Sequence, residues 1–220
     1  MCRFLMVKSA KPFQPEDMMR SFADMAKHSH APDGDWQGDG WGVSWRESNN
    51  WRSYSSLLPV WKDSQKFTDV PETTFLLVHA RSASFIKDKD ILEYNQPYCD
   101  QNIAFVFNGL LKGVQLPQPV PGQIGAQKIW NMIRAQFADT DVKAAMRQTI
   151  SLLQTNTRKI QALNLGISDG NQLLAYSQAS TAQEYYTLQL HQSSDLSLVC
   201  SEKLDHLNFQ PLAQGVLHRF

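Results

Sequence analysis

Two blocks of strand-like sequence flank a pair of helical segments, and this order constrains the fold more than any single residue. Segments 2–7, 41–45, 51–58, 73–80 and 102–107 are rich in aromatic and β-branched residues, the composition of strands. Ala126, Ile129, Trp130, Ile133 and Phe137 then recur at helical spacing. Val142, Ala145, Met146, Ile150 and Leu153 do the same behind the start signal Asp139-Thr140-Asp141. Strand-like sequence returns at 160–168, 172–177, 185–191 and 196–200. An earlier helix is predicted over 15–28, with Pro15 in its first turn and Met18, Met19, Phe22, Met25 and Ala26 on one face. Strands, paired helices and strands again describe a layered α+β domain, and two sheets face to face with helices outside would account for it. The 220 residues contain no repeat and no linker, so residues 1–220 are read as one domain.

Charge and cysteine usage exclude several classes. Lys and Arg number 21 against 21 Asp and Glu, mixed along the chain, so no basic stripe points to nucleic acid. The longest apolar runs, 75–80 and 103–107, are far too short for a bilayer, and the start lacks a secretory signature. Three cysteines (Cys2, Cys99, Cys200) with no CxxC pair suit a reducing compartment, with cytoplasm the default. His28, His30, Asp33, Asp35 and Asp39 crowd one loop. Starting a calcium loop at Asp33 puts Ser44 where the closing glutamate belongs, and no zinc spacing occurs. No metal and no cofactor are expected.

Cys2 carries the first chemical signal. Removal of Met1 would leave it with both a thiol and a free α-amino group. The thiolate is the nucleophile, and an α-amine with a pKa of roughly 7.7–8.0 is partly unprotonated near neutrality. One residue would then supply nucleophile and base. The same residue also reads as a buried cysteine starting a strand. Asn108-Gly109, at the end of an apolar strand, reads as a hairpin turn or as a donor pair for a developing oxyanion. Arg81 follows the 75–80 run, where a guanidinium could grip a carboxylate or form a structural pair. Trp41, in the loop Gly38-Asp39-Gly40-Trp41-Gly42, is expected to fill core.

Cys2-Arg3-Phe4, the 38–42 loop, Val78-His79-Ala80-Arg81-Ser82 and Phe105-Val106-Phe107-Asn108-Gly109 stand in an order and separation that resemble the class II glutamine amidotransferase domain. This is a branch of the N-terminal-nucleophile hydrolases, and the closest likeness is to its small stand-alone members. Residues 199–204 resemble a segment near their C-terminal end. The resemblance implies a four-layer α/β/β/α sandwich. It implies Cys2 as nucleophile and Asn108 and Gly109 as the oxyanion hole. It further implies Arg81 as the holder of the substrate carboxylate, with Ser82, Ser84 and Glu202 as further substrate contacts. The implied substrate is a small-molecule amide, glutamine or a γ-glutamyl compound. A synthase or other partner subunit could receive the ammonia. A catalytically silent binding or regulatory protein on the same fold is the alternative.

Two positions depart from the family pattern. Gly125 stands where glutamine-using members place an aspartate for the substrate's α-ammonium, and no Asp or Glu occurs between Asp100 and Asp139. Gln96 stands where a histidine commonly precedes the proline. The first departure predicts that free glutamine is poorly served, because a buried ammonium needs an anionic or fully hydrogen-bonded partner.

Overall fold

Strand alternation sorts the apolar side chains of this chain onto four faces of two sheets. The computed structural model describes residues 1–31, 34 and 36–220. Among them, the first sheet runs in the order β11 (Gln210–Pro211), β9 (Gln189–Gln192), β10 (Leu196–Cys200), β1 (Arg3–Phe13), β4 (Thr73–Ala80), β2 (Trp41–Glu47), β3 (Asn50–Ser56). The second runs β12 (Leu217–Arg219), β8 (Leu173–Ala179), β7 (Thr157–Ser168), β6 (Ala104–Val114), β5 (Tyr98–Cys99). Every pairing in both sheets is antiparallel.

Successive side chains of a strand point to opposite faces, and the core follows that parity. On β1, Leu5 and Val7 join Val43, Leu76 and Val78 in a cluster with Met19, Phe22 and Ala26 of helix α1 (Glu16–His28). The alternate residues Phe4 and Met6 pack with Phe75, Leu77, Ala104, Val106, Leu173 and Ala175, which belong to both sheets. On β6 the parity continues: Phe105 and Phe107 turn the other way, onto Ile129, Trp130 and Ile133 of α2 (Gly125–Phe137) and Met146 and Ile150 of α3 (Val142–Asn156). β1 is therefore covered on both faces from Arg3 to Val7, in keeping with its continuous apolar run Phe4-Leu5-Met6-Val7.

The helical expectations hold. Pro15 is the N-cap of α1, with Glu16 and Asp17 in its first turn and Lys27 in its last, charges that complement the helix dipole. Asp141 caps α3 by accepting a hydrogen bond from the Ala144 N–H at 2.7 Å. Trp41 is fully buried, its indole N–H donating to Asp63 Oδ2 at 3.0 Å. Among the described residues no helix is long and apolar enough to cross a membrane.

Several strands differ from the sequence reading. β1 continues six residues past Val7 to Phe13, through a polar stretch that its neighbours recruit: Ser9 pairs with Leu196 and Phe13 with Thr73. Part of the strand predicted over 185–191 is helical, Gln183–Tyr186, because Tyr186 is buried and its carbonyl accepts from Asn164 Nδ2. The pair Asn108-Gly109 is neither a turn nor a strand end. It lies inside β6, opposite Asn164 and Leu163 of β7.

Candidate active site

The same parity that builds the core aims Cys2 and Asn108 at each other's layer. Cys2 alternates in step with Phe4 and Met6, and Asn108 with Ala104 and Val106, all four of which lie in the cluster between the sheets. Cys2, Asn108, Gly109, Arg81, Ser82 and Ser84 all line one cleft of about 1040 Å³. Cys2 Sγ lies 3.4 Å from the Ser82 backbone N–H and 3.5 Å from the Ser82 carbonyl oxygen. The Ser82 main chain thus holds the sulfur from both its N–H and its carbonyl.

Asn108 is buried, and neither its amide nitrogen nor its amide oxygen has a hydrogen-bond partner among the described residues. A buried orphan amide is costly, so its persistence suits a group that awaits a ligand. Gly109 is fixed by crowding: a Cβ there would collide with the Ala162 carbonyl of β7. Its N–H direction follows from Phe107. Gln96 Oε1 accepts from the Phe107 N–H at 2.7 Å, and Gln96 Nε2 donates to the Phe107 carbonyl at 3.2 Å, on the edge of β6 away from β7. Alternate residues of a strand share an edge, so the Gly109 N–H points the same way, beside Asn108.

Gln96 thus does through its side chain what a neighbouring strand would do through its backbone. It also approaches His79 Nε2 at 3.3 Å. His79 is fully buried; that burial, reinforced by Arg81, lowers its pKa from 6.5 to about 3. The unfolded chain gains a proton at this residue below about pH 6.5, whereas the folded chain does not until about 3. His79 therefore contributes stability that is full above the upper value and falls on acidification, by up to about 1.4 kcal/mol per pH unit. Urea unfolding at pH 7 and pH 4.5 should show a smaller acid loss for His79→Gln than for wild type. Equal losses would contradict a neutral buried imidazole.

Arg81 is buried and holds its own chain. Its Nη1 donates to the carbonyls of Lys89 at 3.0 Å, Asp39 and Ile91 at 3.5 Å, and to Asn95 Oδ1 at 3.4 Å; Nη2 donates to the Asp88 carbonyl. Asp39 reinforces this segment, accepting from the Ala83 N–H at 2.9 Å and pairing with Lys89 at 3.0 Å. The guanidinium lines the cleft, but the two-pronged fork that would grip a carboxylate is largely engaged by backbone. Arg81 organises the 82–95 segment first.

Glu202 is not where the sequence reading puts it. It does not line the cleft; its Oε2 accepts from Arg3 Nη2 at 3.2 Å and from Ser29 Oγ at 2.5 Å. Arg3 alternates with Cys2 and faces the opposite side of the sheet, stacked 3.6 Å over the Tyr185 ring. Glu202 therefore anchors the start of β1 from behind. Among the described residues lining the cleft the acid is Asp88, a position that no sequence signal singles out. Gln37 and Tyr185 were also missed: Gln37 Nε2 and Tyr185 Oη lie 2.8 and 3.3 Å from the Met1 carbonyl oxygen. Burial raises the Tyr185 pKa to about 12, which keeps that hydroxyl a donor.

His28, His30 and Asp39 have other partners than a metal among the described residues. His30 stacks on Trp36, His28 Nδ1 contacts the Asp24 carbonyl, and Asp39 is engaged as described. Asp33 and Asp35 lie outside the described residues.

No family model and no curated protein matches the sequence. Solved structures do. The chain is similar to a class II glutamine aminotransferase domain protein from Silicibacter pomeroyi, at TM-score 0.66 and 16% identity over 99% of this chain and 94% of that one. It is similar to a predicted glutamine amidotransferase from Pseudomonas aeruginosa, at TM-score 0.56 and 18% identity over 100% and 97%. It also matches the glutamine phosphoribosylpyrophosphate amidotransferase of B. subtilis, at TM-score 0.70 and 12% identity. That match takes in 97% of this chain and 46% of the larger enzyme. The fold is that of class II glutamine amidotransferase domains.

Proposed function

We propose that this protein is an amidohydrolase of the class II glutamine amidotransferase type, acting once Met1 is removed. The three apolar clusters support the full α/β/β/α layering of the N-terminal-nucleophile hydrolases, with α1 on one outer face and α2 with α3 on the other. A single observation carries the chemistry: a buried Asn108 amide, without a hydrogen-bond partner among the described residues, shares a cleft with the Cys2 thiol.

In this reading the Cys2 α-amine takes the thiol proton and the thiolate attacks the side-chain amide carbonyl of glutamine or a γ-glutamyl compound. A C–S bond forms and the carbonyl π electrons move onto oxygen. Asn108 Nδ2 and the Gly109 N–H would stabilise that oxyanion. Collapse breaks the C–N bond, and the departing amine takes the proton from the Cys2 ammonium. Water then attacks the thioester, releasing the acid and restoring the thiol. Ser82 and Ser84 offer contacts at the rim, and Arg81 shapes the segment that bears them. Cytoplasm suits a chain with three cysteines and no CxxC pair, and a synthase subunit is a natural recipient for the ammonia.

A silent regulatory role has one observation in its favour: the Met1 carbonyl is well held by Gln37 and Tyr185, as in a chain that keeps Met1. Intact mass combined with ammonia release decides between the readings. Activity should track the fraction of protein lacking Met1. Full activity in a preparation that retains Met1 would sink the N-terminal-amine mechanism.

A further inference from the structure

Resting on the reading that Cys2 opens a glutamine-type amide, we infer that the substrate carries a large apolar acyl group on its α-nitrogen, an N-acylated glutamine rather than the free amino acid. The cleft, at about 1040 Å³, is at the upper end of what drug-sized ligands occupy. Beyond Cys2 and Asn108 it continues between the far half of β6, the segment 116–122 that carries Pro117, Pro119 and Pro121, and the start of α2. Its walls there include Leu111, Val114, Leu116, Val120, Ile129 and Met132. Leu111, Leu116 and Val120 are only partly buried, and Val114 is 40% exposed. A concave apolar wall of this extent has no use for the short polar body of glutamine.

Charge and helix geometry point the same way. Lys87, Lys112 and Lys128 join Arg81 along the cleft, against Asp88 as the acid among the described lining residues. The balance suits a carboxylate and works against a free ammonium. The first turn of α2 contains no acidic residue, and its positive end repels an α-ammonium. Acylating the α-nitrogen removes that charge. The space beside Gly125 is open to an acyl group: a Cβ built there meets nothing within 4 Å.

The test is ammonia release by Met1-free protein from glutamine, N-acetylglutamine, N-octanoylglutamine and N-dodecanoylglutamine. Each methylene that enters the cleft should raise kcat/KM by about two- to fourfold, so the octanoyl compound should exceed the acetyl compound by at least about 50-fold. Free glutamine should be the poorest of the set. Gly125→Asp should raise its kcat/KM about tenfold, through a charge-assisted hydrogen bond to the ammonium. Val114→Glu, at an exposed wall position, should collapse the octanoyl-to-acetyl ratio toward one. Calorimetric binding of the octanoyl and acetyl compounds to Cys2→Ala reads the cleft without chemistry. Tighter octanoyl binding there supports the inference even if no amide turns over, in which case the hydrolytic reading alone fails. Free glutamine as the best substrate, or equal binding and turnover of acetyl and octanoyl compounds, overturns the inference while leaving the hydrolytic reading intact.

Discussion

Cys2→Ala should abolish turnover of every amide that the wild type cleaves, a loss of at least about 10⁴-fold. The two other thiols are in no position to replace it. Cys200 is fully buried, and desolvation pushes its pKa up to about 12, so it has essentially no thiolate at neutral pH. Cys99 packs against the cluster between the sheets and does not line the cleft. Cys2 itself is only half-buried at the head of β1, and its truncation removes little packing. The unfolding midpoint should therefore stay close to wild type. Residual turnover above background in a variant of confirmed mass would point to another nucleophile.

Asn108→Ala should lower kcat by about 10²–10³-fold, the usual cost of one oxyanion donor, with a much smaller change in KM. Stability separates this role from a structural one. A buried amide that bonds to nothing costs about 1–3 kcal/mol, so removing it should leave the protein as stable as wild type or more so. An asparagine kept for the fold would show the reverse: lower stability and a proportionate loss of activity. Urea midpoints and steady-state kinetics on the same preparation make the comparison.

The fold was legible where side-chain periodicity decides burial. α1, α2 and α3 each bury one apolar stripe, so their spacing announced them, and the Asp141 cap fixed a start that periodicity leaves loose. The short strands β11 and β12 went unseen because two or three residues carry no period. The Asn108-Gly109 dipeptide, a strong hairpin signal, made the strand read as ending there. The ladder with β7, running on to Val114, overrode that preference.

The site was legible in part for the same reason. Asn108 and Gly109 lie within β6, Cys2 just precedes β1 and Arg81 just follows β4, all in motifs that survive in sequence, and the structure gathers them at one cleft. Glu202 was misplaced because proximity along a motif says nothing about which face of β1 it serves; Arg3, one residue from Cys2, claims it from the opposite side. Ser82 contributes through its backbone, and Gln96 through a tertiary contact to a strand 11 residues away. Neither role leaves a compositional trace. Asp88 reaches the cleft lining through the segment whose carbonyls Arg81 holds, a tertiary placement without a sequence signal.

The central claim is that the Cys2 thiol forms a covalent acyl intermediate, and acid-quenched mass spectrometry reads that bond directly. Met1-free protein mixed with an excess of a cleavable glutamine-type amide should show, within the first turnover, an adduct equal to the substrate minus the departing amine. Peptide mapping should place it on the N-terminal peptide containing Cys2, and neutral hydroxylamine should remove it as expected of a thioester. Ammonia release with no adduct at Cys2, or with the adduct on another residue, would contradict the account.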